Sequence, residues 1–278
     1  MLRQRVLTAL VLMALLLPTL FWRDPLPFAL LTLAFCAVGM GEWARLAGYR
    51  GWGILTFWAS IWAVMAVALL WLLQQQAWEL AATWLWLACG TAWLLALGLS
   101  LPRAHLPAVL AHPLALALLG FLLLQAAWLA LVQLRMQGAL FMLSLLALVW
   151  VADIAAYFGG RAWGHRKLAP SISPGKTRAG AWSALAATLF YAVVCVSLTP
   201  LHPNYFSQLE TRFGWVGLVF WVVVLLAFAI GGDLFESLLK RAAGQKDSGK
   251  LLPGHGGVLD RIDSLLPVLP LALLLLTL

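Results

Sequence analysis

WVGLVFWVVVLLAFAIGGDLFESLLKR, residues 215–241, decides the architecture. From Trp215 to Ile230 no residue carries a charge, and an apolar run on this scale is what a helix needs to cross the hydrocarbon core of a bilayer. Charge then enters abruptly at Asp233, Glu236, Lys240 and Arg241. On a continuous helix Asp233, Ser237, Lys240 and Arg241 share one face, with the acid at the membrane end and the two cations beyond it.

Outward from this run the same character repeats. The 278 residues are 64% hydrophobic and only 10% charged, a balance foreign to soluble globular domains. Apolar runs at about 5–22, 26–41, 53–73, 78–99, 112–133, 139–158, 180–199, 215–236 and 264–278 predict spanning segments. Period-two alternation is absent, which excludes a barrel, so the backbone must satisfy itself as helix. The expected fold class is all-α: a polytopic transmembrane helical protein of about nine spans, forming a single integral membrane domain, residues 1–278. Residues 1–138 are mostly apolar spans, and 139–278 add the polar segments that can carry chemistry. The last run is short and interrupted by Pro267 and Pro270. The first follows Arg3 and Arg5 and passes through Pro18, Phe21 and Trp22 without a small-residue cleavage site, which predicts an uncleaved first helix.

The 18 basic and 10 acidic residues leave a net charge of +8. Their distribution assigns the excess to topology, not to nucleic-acid binding. With the N-terminus inside, only Arg23, Arg135 and Arg212 fall on the outer face, and the other fifteen basic residues gather on the inner one. This orientation predicts a cytoplasmic N-terminus and cytoplasmic polar segments at about 159–179 and 237–263, in a multi-pass protein of the cell (inner) membrane. Cys36, Cys89 and Cys195 lie in apolar runs without metal spacing and read as small core residues. Of the 16 tryptophans, Trp58, Trp62, Trp84, Trp86 and Trp93 sit mid-span, where packing accounts for them better than an interfacial belt.

Two constellations can carry chemistry. In the first, Asp153 lies inside a span, where an acid is costly without a partner or a function. Its bland explanation is pairing with helix N–H groups or Arg161. It is followed by Ser171-Ile-Ser173-Pro-Gly-Lys176-Thr177, a loop whose hydroxyls and lysine suit phosphate oxygens, although it lacks P-loop spacing and a strand before it. In the second, Asp233, Lys240 and Arg241 precede the Pro253-Gly-His255-Gly-Gly turn, and Asp260 and Asp263 follow at i, i+3. Asp233, Asp260 and Asp263, flanked by Lys240, Arg241 and Arg261, suit Mg²⁺ with a polyphosphate, because Mg²⁺ takes oxygen ligands from a few carboxylates plus substrate phosphates. The competing reading is a solvated loop whose charges pair with one another.

The run from Ser237 through Lys240, Arg241, Lys246, Asp247, Pro253, His255, Gly256, Gly257, Asp260 and Arg261 to Asp263 resembles the signature of the phosphatidate cytidylyltransferases, the CDP-diacylglycerol synthases. Ser171-Ile-Ser173-Pro-Gly-Lys176-Thr177 resembles a second motif of that family. Where the family usually continues Trp-Glu-Gly, this chain has Arg178-Ala179-Gly180. The resemblance implies transfer of the cytidylyl group of CTP to phosphatidic acid, giving CDP-diacylglycerol and pyrophosphate, with Mg²⁺ as cofactor and a homodimer as the assembly. It also implies site residues. Asp233, Lys240, Asp260 and Asp263 would be catalytic, with the three aspartates holding metal. Ser171, Ser173, Lys176, Thr177, Ser237, Arg241, Lys246, Asp247, His255 and Arg261 would bind substrates. A near alternative is a CTP-dependent enzyme with another lipid acceptor. A secondary transporter is a poorer match, since its polar groups would appear in two related halves. A scaffold leaves three aspartates near lipid without a reason.

Overall fold

A computed structural model describes residues 2–73, 78–198, 201, 203–251, 254 and 256–277. Each apolar run becomes a helix: α1 (Leu2–Phe21), α2 (Leu26–Leu46), α3 (Trp52–Leu73), α4 (Trp78–Ser100), α6 (Pro113–Gln137), α7 (Ala139–Trp163), α8 (Arg178–Ser197), α9 (Tyr205–Ala242) and α11 (Leu265–Thr277). Two short turns of helix, α5 (Ala108–Ala111) and α10 (Leu259–Ile262), lead into α6 and α11. Among the described residues, 7 helices (α2, α3, α4, α6, α7, α8 and α9) are long and apolar enough to cross a membrane. The chain is therefore a polytopic helical membrane protein.

Helix α11 takes a different part from the other apolar segments. Its 13 residues would extend only about 20 Å, short of a bilayer core of about 30 Å. Every residue from Leu266 to Leu275 is buried, and α4, α6 and α9 surround it. A helix apolar on all sides is one enclosed by protein, so the run with the two prolines forms the centre of the bundle. Tyr205 donates to the Ala272 carbonyl at 3.1 Å, and Arg212 donates to the Leu276 carbonyl at 2.6 Å. The second bond satisfies a carbonyl of the last turn, which has no partner within the helix.

Helix α9 opens with a reciprocal cap, Asn204 accepting from the Ser207 amide and Ser207 from the Asn204 amide. At Gly214 (φ 68°, ψ 179°) its path breaks, and a second continuous stretch runs from Trp215 to Ala242. That stretch matches the apolar run from which the topology was read. Trp62, Trp86 and Trp93 are fully buried and Trp58 nearly so, as packing predicts, whereas Trp84 is 65% exposed and faces outward. Trp43 and Trp93 both lie against Phe235, with ring centroids 6.4 and 5.7 Å away, and fix α9 from behind.

The all-α expectation needs one correction. Lys167–Ala169 (β1) and Ser173–Thr177 (β2) form an antiparallel hairpin, so the Ser-Pro-Gly-Lys-Thr segment is a strand with a strand before it, not a loop. The cause is topological: α7 and α8 pack side by side over their length, and the polar chain joining them, residues 164–177, has to fold back on itself at their shared end. Ile172, at the hairpin turn, is buried with Leu234 and Leu238 of α9, which anchors the hairpin to that helix.

Candidate active site

The site forms where this hairpin meets the charged end of α9. Asp233 lies 19 residues beyond Gly214, about 28 Å along the helix, so the charges follow one bilayer thickness of apolar surface. Lys176 of β2 contacts the Asp233 carboxylate at 2.5 Å, and the Ser237 hydroxyl approaches its other oxygen at 3.5 Å. The two constellations read separately in the sequence are therefore one site.

A cavity of about 420 Å³ opens beside this pair between α7, α8, α9 and the hairpin. Its polar lining includes Asp153, Tyr157, Arg161, Lys176 and Asp233. Its apolar lining comes from α7, α8 and α9, with Ala152, Ala156, Ala184, Leu226 and Ile230. Thr177 also caps α8, accepting from the Gly180 amide at 3.1 Å. Ser171 and Ser173 lie at the hairpin turn, and neither lines the cavity.

About two helical turns beyond Asp233 on α9, Lys240 joins two carboxylates. It contacts Glu236 of its own helix, whose side chain is only 2% exposed, and Asp260 of α10 at 2.6 Å. The sequence reading counted Glu236 among the charges but gave it no role, although its spacing four residues before Lys240 signals such a pair. Asp260 is heavily engaged. Its second oxygen accepts from the Ser248 amide at 2.9 Å and the Gly257 amide at 2.8 Å, and the Ser248 hydroxyl lies 3.0 Å away. Burial pushes its pKa up, but the Lys240 ammonium and these two amides outweigh burial and hold it below the usual carboxylate range.

Asp263 occupies the turn between α10 and α11. One of its oxygens accepts from the Ser264 amide at 2.7 Å. Burial, and then the charge of Asp233, push its pKa up to about 7. Two like charges are thus held near one another, where Gly232 of α9 packs against the Asp263 carbonyl and the Pro267 ring. A methyl group on Gly232 would stand 2.5 Å from the Asp263 carbonyl and 2.8 Å from the Pro267 ring, both rigid neighbours. Gly232→Ala is therefore expected to destabilise the protein by about 1–3 kcal/mol and to lower turnover by parting the two aspartates. Thermal unfolding in detergent, alongside initial rates, checks both.

Arg241, Lys246, Asp247 and Arg261 are exposed around this end of the bundle. His255 lies outside the described residues, as do Leu252 and Pro253. Two residues of the first half, Glu42 and Arg45 of α2, also reach the site, through Ser248. The available signal was an acid within an apolar helix, which is costly unless it has a partner or a task.

The donor set suits Mg²⁺. Among the described residues no cluster of three metal-ligating side chains exists, but Asp233 and Asp263 offer hard oxygens from adjoining elements. A pair of carboxylates completed by substrate phosphates is how Mg²⁺ is commonly held.

Fold and site together define a polytopic membrane protein with a lysine- and carboxylate-lined cavity at one end of its bundle, a class suited to handling phosphorylated substrates at a membrane edge. The comparisons narrow this class. The model of the cytidylyltransferase family matches residues 3–278, and the chain belongs to that family. It is 39% identical over 273 residues to a phosphatidate cytidylyltransferase of Pseudomonas aeruginosa, covering 97% of this chain and 95% of the relative. A phosphatidate cytidylyltransferase of Haemophilus influenzae is 35% identical over 287 residues, covering 97% and 96%. One from Staphylococcus epidermidis is 43% identical over 142 residues, about half of each chain.

Proposed function

We propose that this protein transfers the cytidylyl group of CTP to phosphatidic acid, forming CDP-diacylglycerol and releasing pyrophosphate. The observation that carries this reading is the cavity whose lining combines Lys176, Arg161 and Lys167 with apolar side chains of α7, α8 and α9, which suits a lipid phosphate with its tails. It abuts the Lys176–Asp233 pair and the helix bearing Lys240, beside which a nucleotide triphosphate can approach from water.

The phosphate oxygen of phosphatidic acid attacks the α-phosphorus of CTP. The bond to the oxygen bridging the α- and β-phosphorus breaks, and that oxygen leaves with pyrophosphate. The attacking phosphate is already an anion, so no strong base is needed; alignment and neutralisation of the leaving charge carry the rate. Lys176, with Thr177 and Arg161, orients the lipid phosphate. Lys240, Arg241 and Arg261 face the triphosphate, with Lys246 and Asp247 at the rim, and His255, Ser171, Ser173 and Ser237 are assigned as supporting contacts. Asp233 and Asp263 would hold Mg²⁺; Asp260, the third ligand expected from the sequence, has its oxygens engaged by Lys240 and by the Ser248 and Gly257 amides. When bound, the metal supplies charge stabilisation at the phosphates.

The topology belongs to the same reading: the N-terminus and the site on the cytoplasmic side of a cell inner membrane, with the ninth of the expected passes replaced by the enclosed helix α11. Its support is the gathering of Arg45, Lys176 and Lys240 around the site, against Arg135 at the Trp22 carbonyl and Arg212 at the Leu276 carbonyl at the opposite end. A homodimer is carried by the family resemblance.

Purified protein given labelled CTP, phosphatidic acid and Mg²⁺ is expected to yield CDP-diacylglycerol, and EDTA is expected to abolish the product. Incorporation into every lipid tested except phosphatidic acid would overturn the choice of acceptor and direct attention to Arg178-Ala179. Product formation unaffected by EDTA would remove the metal from the proposal.

A further inference from the structure

We infer that Glu42, from the apolar first half of the chain, is a positioning residue for the catalytic loop and acts through Ser248 and Asp260; this deepens the cytidylyltransferase reading and rests on it. Glu42 lies near the end of α2 and is only 6% exposed. It reaches residues more than two hundred positions away. One carboxylate oxygen lies 3.0 Å from the Ser248 hydroxyl and accepts from the Leu259 amide at 3.0 Å. The Ser248 hydroxyl lies equally close to Asp260, and one hydroxyl has one proton. The oxygen of Asp260 facing it already accepts two backbone amides, so the hydroxyl donates to Glu42, while its own oxygen accepts from the Asp260 amide at 3.3 Å.

The loop is shaped to admit this carboxylate. A methyl group on Gly249 or Gly257 would collide with its oxygens, so two glycines of the loop leave the space that it fills. Arg45, one turn after Glu42, donates to the Ser248 carbonyl. Ser248 is thereby held at its hydroxyl by Glu42 and at its carbonyl by Arg45, and its amide is left to hold Asp260. Asp260 in turn holds Lys240. The connection from Glu42 to Lys240 has two intermediaries, Ser248 and Asp260, each at hydrogen-bond distance of the next. None of these contacts reaches the lipid cavity between α7, α8 and α9.

The test uses the full chain in detergent, with initial rates at varied CTP and varied phosphatidic acid. Glu42→Ala and Ser248→Ala are each expected to lower kcat about 100-fold, the effect of a misplacement on the order of 1 Å. The KM for phosphatidic acid should stay within about twofold, since the lipid contacts are untouched. The double variant should be no worse than the weaker single one, because both act through the same contact. Glu42→Gln keeps an oxygen for the Leu259 amide and should fall between Glu42→Ala and the parent. If Glu42→Ala does not fold, Glu42→Gln and Ser248→Ala carry the same comparison. Amide exchange supplies a readout independent of turnover: residues 244–251 and 256–258 should lose protection in the variants, while α7 and α8 keep theirs. Folded variants with the parent kcat, multiplying losses in the double variant, or unchanged loop exchange would each overturn the inference. A parent protein that makes no product from CTP and phosphatidic acid while its loop responds as expected would instead overturn the activity on which it rests.

Discussion

Lys240→Met is expected to lower turnover by about a thousandfold or more and to destabilise the protein by about 3–5 kcal/mol. Both effects follow from what its ammonium touches. It has three N–H groups, and Glu236 and Asp260 engage two of them. The third is what remains for a phosphate oxygen. Methionine keeps much of the packing volume but leaves two carboxylates beside one another, with the Glu236 side chain 2% exposed and that of Asp260 8% exposed. An uncompensated buried charge is the costly outcome of breaking such a pair. The two effects separate in Lys240→Met/Glu236→Gln, where the deleted cation is balanced by a deleted anion. Most of the stability should return and the activity should not. Recovery of turnover in the double variant would reduce Lys240 to a structural counter-ion and count against any contact with phosphate.

What the sequence made legible follows the range of the forces involved. Apolar runs are local, and all nine became helices. The run at 215–236 began where a helical stretch begins because Gly214 breaks the path immediately before it, although the helix continues to Ala242. Helix α11 was legible as apolar but not as central, since composition does not say whether lipid or protein covers a face. The hairpin was illegible because three- and five-residue strands rich in Pro, Gly and Lys carry no periodicity; what makes them strands is the packing of α7 on α8. Asp233 and Lys176 were each read as chemical, on different constellations, yet only folding brings them to 2.5 Å. Glu42 is the extreme case, for its partners Ser248 and Leu259 lie more than two hundred positions away. The three aspartates were read as equivalent because spacing gives proximity, not the number of donors each oxygen already serves.

That last difference is open to measurement. Asp233→Asn is expected to lower turnover about a thousandfold, as the loss of several kcal/mol of charge stabilisation requires, and to raise the Mg²⁺ concentration for half-maximal rate about tenfold or more. Asp260→Asn is expected to lower turnover about 100-fold while leaving the Mg²⁺ curve in place. The contrast rests on lone pairs. One oxygen of Asp233 lies against Lys176, a side chain from another element that a substrate phosphate can draw away, and the other has only a 3.5 Å approach from Ser237. Asp260 gives one oxygen to Lys240 and the other to the amides of Ser248 and Gly257. In its asparagine variant, an oxygen left facing the amides places the NH₂ against the Lys240 ammonium, and the opposite orientation sets NH₂ against the two amides. Either arrangement disturbs the loop without removing a metal ligand. If Asp260→Asn moves the Mg²⁺ curve as far as Asp233→Asn does, Asp260 is a ligand after all and must exchange its backbone partners for the metal when substrate binds. In that event the contacts that organise its loop are also the latch on the metal site, and Glu42, by holding Ser248, would set how readily that latch opens.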